Sequence, residues 1–147
     1  MKCIIFDIDG TIANCEHRLH YIEGKNKNWQ LFYDKCLDDS VITQVSCMID
    51  FFKQNYKIIL LTGRPESNLS LTVQWLNNNN IYFDELIMRK NGDYRKSPEY
   101  KKENICSLIN EGFEIFAAFE DRTDCVEMFK QMNIFVFNVA NTQYENI

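Results

Sequence analysis

The sequence predicts a doubly wound, three-layer α/β domain, and two observations carry that prediction. Five short apolar runs alternate along the chain with segments of helical periodicity, the pattern of parallel strands joined by covering helices. Three of those runs end in polar clusters: Asp7/Asp9, Thr62/Arg64 and Glu120/Asp121. In an open parallel sheet, ligands bind beyond the carboxyl ends of strands where the winding reverses. The three clusters converge only if the first strand is central, so the expected five-stranded order is 3-2-1-4-5.

The first strand is the continuous run Cys3-Ile4-Ile5-Phe6, apolar on both faces as a buried parallel strand must be. It stops at Asp7, with a second carboxylate at Asp9 before Gly10 and Thr11. Two acids one residue apart repel each other, and a hard, oxygen-preferring cation is the usual compensation. Gly10 relieves the backbone where the chain leaves the sheet. A small insert, residues 13–39, follows; within it Asn28–Leu37 has helical spacing, with Trp29, Phe32, Tyr33 and Cys36 on one stripe. Those aromatics read either as core or as a surface for stacking a nucleobase.

Ser40 is the expected cap of the next helix, whose inward positions are Val41, Val45, Met48, Ile49 and Phe52. Lys57–Leu61 is the second strand, closed by Thr62-Gly63-Arg64. Pro65 suits the first turn of a helix running to about Asn77, with Leu69, Val73 and Leu76 inward. Phe83–Met88 is the third strand, followed by the basic loop Arg89–Lys96. Ser97-Pro98 opens a helix that Gly112 closes. Glu114–Phe119 is the fourth strand, a helix runs through Met132, and Ile134–Phe137 is the fifth. The tail, Asn141–Ile147, carries little signal.

A chain of 147 residues fits one domain spanning 1–147, large enough for a proper core. No apolar run approaches the roughly 18 residues that cross a bilayer, and MKCIIFD reaches an acid too soon for a signal peptide. A cytoplasmic protein with no membrane contact is expected. Six scattered cysteines without a C-x-x-C pair argue for reduced thiols and against zinc. A net charge of −5 argues against coating nucleic acid, while leaving room for a small basic pocket holding one phosphate. No obligate protein partner is evident from the sequence.

Asp7-Ile8-Asp9-Gly10-Thr11, Thr62 after Leu60-Leu61, a lysine near the start of a later helix, and Glu120-Asp121 occur in the order found in one family. On these motifs the chain resembles a haloacid dehalogenase (HAD) superfamily phosphatase, whose fold is Rossmann-like, over nearly its whole length. Met88-Arg89, Gly92-Asp93-Tyr94-Arg95-Lys96 and Phe119-Glu120-Asp121-Arg122-Thr123 resemble most the 3′-phosphatase domain of phage polynucleotide kinase. The chain departs from it at Ser97, where an acid is expected, at Glu120 in place of Asp, and across most of 13–39. There is no kinase P-loop.

The resemblance implies a Mg²⁺-dependent phosphomonoester hydrolase acting through an aspartyl-phosphate. It assigns Asp7 as nucleophile, Asp9 as general acid and base, Thr62 and Lys101 as catalytic contacts to the phosphoryl group, and Asp7, Asp9 through its backbone carbonyl, Asp121 and Glu120 as metal site. Arg18, Arg64, Gly63 and Gly10 are the implied phosphate and substrate contacts. Lys101 competes with Lys96 and Lys102 for the motif lysine, and Asp124 is either a second acid or a favourable charge in a helix's first turn. His17 and His20 are either substrate contacts or surface residues. The expected substrate is a polynucleotide 3′-phosphate end or a nucleotide. A small metabolite or 5′-nucleotide is the alternative, and a non-catalytic binding module of the same fold a second. Arg89, Lys90, Arg95 and Lys96 are either a basic rim making weak nucleic-acid contact or solvated loop charge.

Overall fold

The computed structural model describes residues 1–139, so the expectation for Asn141–Ile147 lies outside the described residues. Five strands form one parallel sheet: β1 (Lys2–Phe6), β4 (Lys57–Pro65), β5 (Glu85–Arg89), β6 (Glu114–Glu120) and β7 (Val136–Asn138). Their order is β5-β4-β1-β6-β7, the expected 3-2-1-4-5 with the first strand central. Successive residues of each strand point to opposite faces. Ile4, Phe6, Ile58, Leu60 and Phe119 therefore pack under helices α2 (Thr43–Phe52) and α3 (Leu69–Asn78). Cys3, Ile5, Ile59, Leu61 and Ala118 pack under α4 (Ser97–Asn110) and α5 (Thr123–Gln131). Those two clusters are the interfaces of a three-layer domain. Phe6, Phe119 and Phe137 stack across neighbouring strands at 4.6 and 4.5 Å between centroids.

The insert is closed at its base by a short antiparallel pair, β2 (Ala13–Asn14) with β3 (Ser40–Val41). Between them lie a 3-10 helix (Glu16–Ile22), α1 (Trp29–Asp34) and a 3-10 turn (Cys36–Asp38). Cys15, Leu19, Ile22 and Phe32 form a small core of their own. The insert thus has a small core separate from the two that flank the sheet.

Local expectations fail where tertiary pairing overrides propensity. Ser40 does not cap a helix: its strand pairs with Asn14, and Ile42 donates to the Ile12 carbonyl at 2.7 Å before α2 begins at Thr43. Pro65 is extended (φ −72°, ψ 154°) and ends β4 opposite Arg89, with a 3-10 turn (Glu66–Asn68) before α3. The shift moves the inward face of α3 to Thr72, Trp75 and Leu76, and Leu69 is exposed. The Asn28–Leu37 helix is shorter than its periodicity suggests; the Asn28 side chain caps it by accepting from the Leu31 N–H at 3.0 Å. Among the described residues no helix is long and apolar enough to cross a membrane. All six cysteines are free.

Candidate active site

The site begins where β1 runs out of apolar residues. The Asp7 N–H still donates to Phe119 at 3.1 Å, holding the carboxylate at the sheet's carboxyl edge. The chain then folds on itself, the Ile8 carbonyl accepting from Thr11, Ile12 and Ala13 at 2.9 to 3.1 Å. Gly10 sits in this turn at φ +82°, and a Cβ there would lie 2.1 Å from Asp121 Oδ2. A side chain at position 10 and the observed Asp121 are mutually exclusive. Gly10 is not in the cavity wall, so the structure gives it this steric role instead of the expected substrate contact.

Asp7, Glu120 and Asp121 each offer a ligand atom within 4.8 Å of the others, and all three are buried. Lys101 reaches into the group from the first turns of α4, donating to Asp7 Oδ1 at 2.9 Å and to Glu120 at 3.1 and 3.2 Å. Thr11 donates to Asp121 at 3.2 Å and to Asp7 at 3.4 Å. Burial, then the charges of Asp7 and Glu120, push the Asp121 carboxyl up to about 10. Burial and Asp7 push Glu120 up to about 7. Burial opposes the charge on Lys101, but Asp7 and Glu120 outweigh it and hold its pKa well above the usual value. Three carboxyl groups crowd one ammonium, so without a further cation Asp121 holds its proton at neutral pH, and every atom they offer is an oxygen. That donor set suits a hard divalent cation such as Mg²⁺. The Asp9 carboxylate is not in this cluster; the expectation for Asp9 concerns its backbone carbonyl.

Asp9 instead faces two guanidiniums. Arg18 Nη2 donates to it at 2.5 Å, and Arg64 donates through Nη2 at 2.6 Å and Nε at 3.1 Å. Burial works against the anion, yet the two arginines outweigh it and hold Asp9 well below the usual carboxylate range. Arg18 is fully buried and bridges on to Asp39 at 2.6 and 2.8 Å and to the Phe32 carbonyl at 3.1 Å. It lies behind Asp9, away from the cavity wall, so the structure does not bring Arg18 to where a phosphate enters. Arg64 does line the cavity, with Nη1 on Thr72 at 3.0 Å.

Sequence reasoning missed Asp39. It is buried and takes Arg18 and His17 (2.7 Å) as partners. Its only local signal is its place beside Ser40-Val41, the strand that closes the insert onto Asn14.

The cavity, about 820 Å³, is lined by Asp7, Asp9, Thr62, Gly63, Arg64 and Lys101 on its floor. The β4–β5 register breaks between Leu61 and Pro65, which turns Thr62 to Arg64 out of the ladder and into the cavity. Tyr100 holds that turn by donating to the Thr62 carbonyl at 2.9 Å. Arg89 holds it from the other side, donating to the Gly63 carbonyl at 3.2 Å and to the Arg95 carbonyl at 2.7 Å. Arg95 pairs with Asp93 and Glu103. Of the four rim cations, Arg89 and Arg95 are therefore committed within the loop, and Lys90 and Lys96 remain exposed on the cavity. Lys102 is exposed, whereas Lys101 is the lysine inside the cluster. Asp124 pairs with Arg122 at 3.1 Å in the first turn of α5, outside the carboxylate group. His17 is held by Asp39 and His20 stacks on Tyr21; neither lines the cavity.

The family model for the polynucleotide kinase PNKP phosphatase domain matches residues 1–144. The chain belongs to that family. This PNKP-type chain is thereby a phosphatase domain of the haloacid dehalogenase superfamily. It is similar to a chain of a Pnkp1/Rnl/Hen1 complex, with 29% identity and a TM-score of 0.81 over 94% of this chain and 45% of that one. A curated relative, acid phosphatase 1 from Solanum lycopersicum, is 28% identical over 121 residues, 76% of this chain and 46% of the relative. A haloacid dehalogenase-like hydrolase from Streptococcus pneumoniae shares the fold (TM-score 0.66, 12% identity, 96% of this chain and 90% of that one). The chain spans a little under half the length of the curated relative and of the Pnkp1/Rnl/Hen1 chain.

Proposed function

We propose that this PNKP-type domain hydrolyses the terminal 3′-phosphate of a polynucleotide by a Mg²⁺-dependent, two-step transfer through Asp7. The observation that carries the reading is the close meeting of Asp7, Lys101, Glu120 and Asp121 beside an open cavity. A cytoplasmic location is part of this reading, supported by six free cysteines, the state that a reducing compartment maintains.

A phosphomonoester dianion repels an anionic nucleophile, so charge neutralisation dominates the barrier. Asp7, Asp121 and Glu120 would hold the metal ion, with the Asp9 carbonyl as a further oxygen, and the bound ion supplies Lewis-acid neutralisation of the phosphoryl oxygens. An Asp7 carboxylate oxygen attacks phosphorus, the ester P–O bond breaks, and the leaving oxygen takes a proton from Asp9. Water then attacks the same phosphorus, Asp9 accepts its proton, and the bond to Asp7 breaks. Lys101 screens Asp7 as the dianion approaches. Thr62 and the Gly63 turn contact the phosphoryl group from the end of β4.

The pairing of Asp9 with two arginines favours its base role over its acid role. Arg64 borders the cavity but its side chain is as buried as that of Arg18, so a substrate phosphate would have to displace it; that withdrawal would loosen the hold on Asp9 and let it carry the proton. Arg18, which does not border the cavity, acts by fixing Asp9.

Similarity to a chain of the Pnkp1/Rnl/Hen1 RNA repair complex supports a nucleic-acid end as substrate, and protein partners of that general kind. A free nucleotide or small metabolite is the second reading, favoured by the net charge of −5 and by the internal pairing of Arg89 and Arg95. The test is phosphate release, with Mg²⁺, from a 3′-phosphorylated oligonucleotide against 3′- and 5′-mononucleotides and p-nitrophenyl phosphate. Asp7→Asn is expected to abolish all turnover. Full activity in that variant removes the mechanism, and preference for a mononucleotide removes the polynucleotide substrate.

A further inference from the structure

One wall of the cavity is aromatic, and its residues are not equivalent. The spacing of Trp29, Phe32 and Tyr33 fits either a core stripe or a stacking surface, and the structure divides them. All three border the cavity, but Phe32 is 2% exposed and belongs to the insert's core. Trp29, at the first position of α1, is 42% exposed and outside that core, yet it lines the same cavity as Asp7, Thr62 and Lys101. Its ring is held from behind, lying 6.0 Å from Tyr33 at 30° and edge-on to Phe32 at 5.8 Å and 83°. The Asn28 cap fixes the helix end that carries it. Packing thus accounts for Phe32 and leaves a partly exposed indole on the cavity that Asp7 and Lys101 also line.

The other wall is cationic. Lys90 and Lys96 are exposed on the cavity and form no ion pair among the described residues, in contrast to Arg89 and Arg95. A ligand that uses both walls has a flat apolar ring close to its reacting phosphate and a second anion further out. A base followed by a backbone phosphodiester has that layout; a small phosphorylated metabolite lacks the second anion.

We propose that Trp29 is the stacking platform for the base of the nucleotide whose phosphate enters the site, with Lys90 and Lys96 taking the next backbone phosphate. The proposal rests on the phosphatase reading for where the phosphate sits, and it makes Trp29 a specificity-determining residue contributed by the insert. Base stacking on an aromatic side chain tolerates any base, since every base has a π-face. The domain therefore distinguishes a base-bearing end from a base-less one, not one sequence from another.

Fluorescence gives a readout independent of turnover. The chain has two tryptophans, and Trp75 is fully buried, so quenching by a bound base reports on Trp29. The Asp7→Asn protein, and wild type in EDTA as a second preparation, are titrated with a 3′-phosphorylated tetranucleotide, with the same oligomer ending in an abasic 3′-phosphate, and with a 3′-mononucleotide. The base-bearing tetranucleotide is expected to quench and to bind about tenfold more tightly than the abasic one, within the range for one stacked base. Trp29→Leu is expected to erase that difference, and Trp29→Phe to keep most of it. In turnover, Trp29→Leu should lower kcat/KM on the tetranucleotide about tenfold relative to β-glycerol phosphate, which has no ring.

Equal affinity and equal quenching for the base-bearing and abasic oligomers overturn the platform. Equal affinity for the mononucleotide and the tetranucleotide overturns the lysine contact. If wild type hydrolyses no ester but the binding difference persists, the phosphatase reading fails and the platform stands. If hydrolysis is intact but the difference is absent, the platform alone fails.

Discussion

Replacing Asp39 with asparagine removes a charge from the least solvated part of the site. Asp9, Asp39, Arg18 and Arg64 form a balanced set of two anions and two cations, with the Arg18, Arg64 and Asp39 side chains fully buried. The substitution leaves two guanidiniums against one carboxylate. Breaking a buried pair from one side costs about 3–5 kcal/mol, because the remaining charge has no water to turn to. The amide oxygen still accepts one hydrogen bond, worth about 1 kcal/mol, so a net loss of about 3 kcal/mol is expected. A domain stable by about 5–15 kcal/mol survives this. With a urea slope of about 2 kcal/mol/M, the midpoint should fall by roughly 1.5 M. Misplacing Asp9 should also lower kcat about 10- to 100-fold, with a smaller effect on KM. Urea unfolding followed by circular dichroism measures the first effect. The double variant Arg18→Met/Asp39→Leu removes one charge of each sign and should cost less than the sum of its single changes. A loss below about 1 kcal/mol for Asp39→Asn, or strict additivity in the double variant, would refute the buried-network argument.

Gly10→Ala should cost about 1–2 kcal/mol for its positive φ and, by displacing Asp121, raise the Mg²⁺ concentration needed for half-maximal activity at least tenfold; an unchanged metal titration contradicts the steric role. Lys101→Met leaves three carboxylates without their ammonium, so metal should bind more tightly while kcat falls by at least about 100-fold, separable by calorimetry and turnover. Stability should depend on pH in a way that metal reverses. Glu120 and Asp121 have folded pKa values raised to about 7 and about 10, so the stability they lend is complete below their unfolded values of about 4 and is lost as pH rises through the folded ones. Asp9, whose pKa is lowered, contributes stability above pH ~4 and loses it only in more acid solution. Between pH 5 and pH 8, roughly where only the first two matter, the Tm in EDTA should fall with rising pH and Mg²⁺ should stabilise more at pH 8 than at pH 5. A flat or rising Tm in EDTA over that window contradicts the crowded-carboxylate account.

The sequence by itself determined the sheet and most of its active edge. Continuous apolar runs can be buried only as central parallel strands, and polar clusters at three of their ends are compatible with one strand order. That reasoning places Asp7, Thr62, Arg64, Glu120 and Asp121 near one another before any coordinate is known. Tertiary structure decided what each charge is paired with. Asp38 and Asp39 are neighbours of identical chemistry, yet the first is exposed and the second buried against Arg18, because the β2–β3 pairing turns only one of them inward. Arg18 and Arg64 are alike in sequence character and both fully buried, but only Arg64 borders the cavity, while Arg18 is tied to Asp39 and the Phe32 carbonyl. Arg89 and Lys90 differ the same way: one is tied to Gly63, the other stands exposed at the cavity. Periodicity is a property of a few adjacent residues, whereas the partner of a buried charge lies tens of residues away; only the folded chain brings the two together.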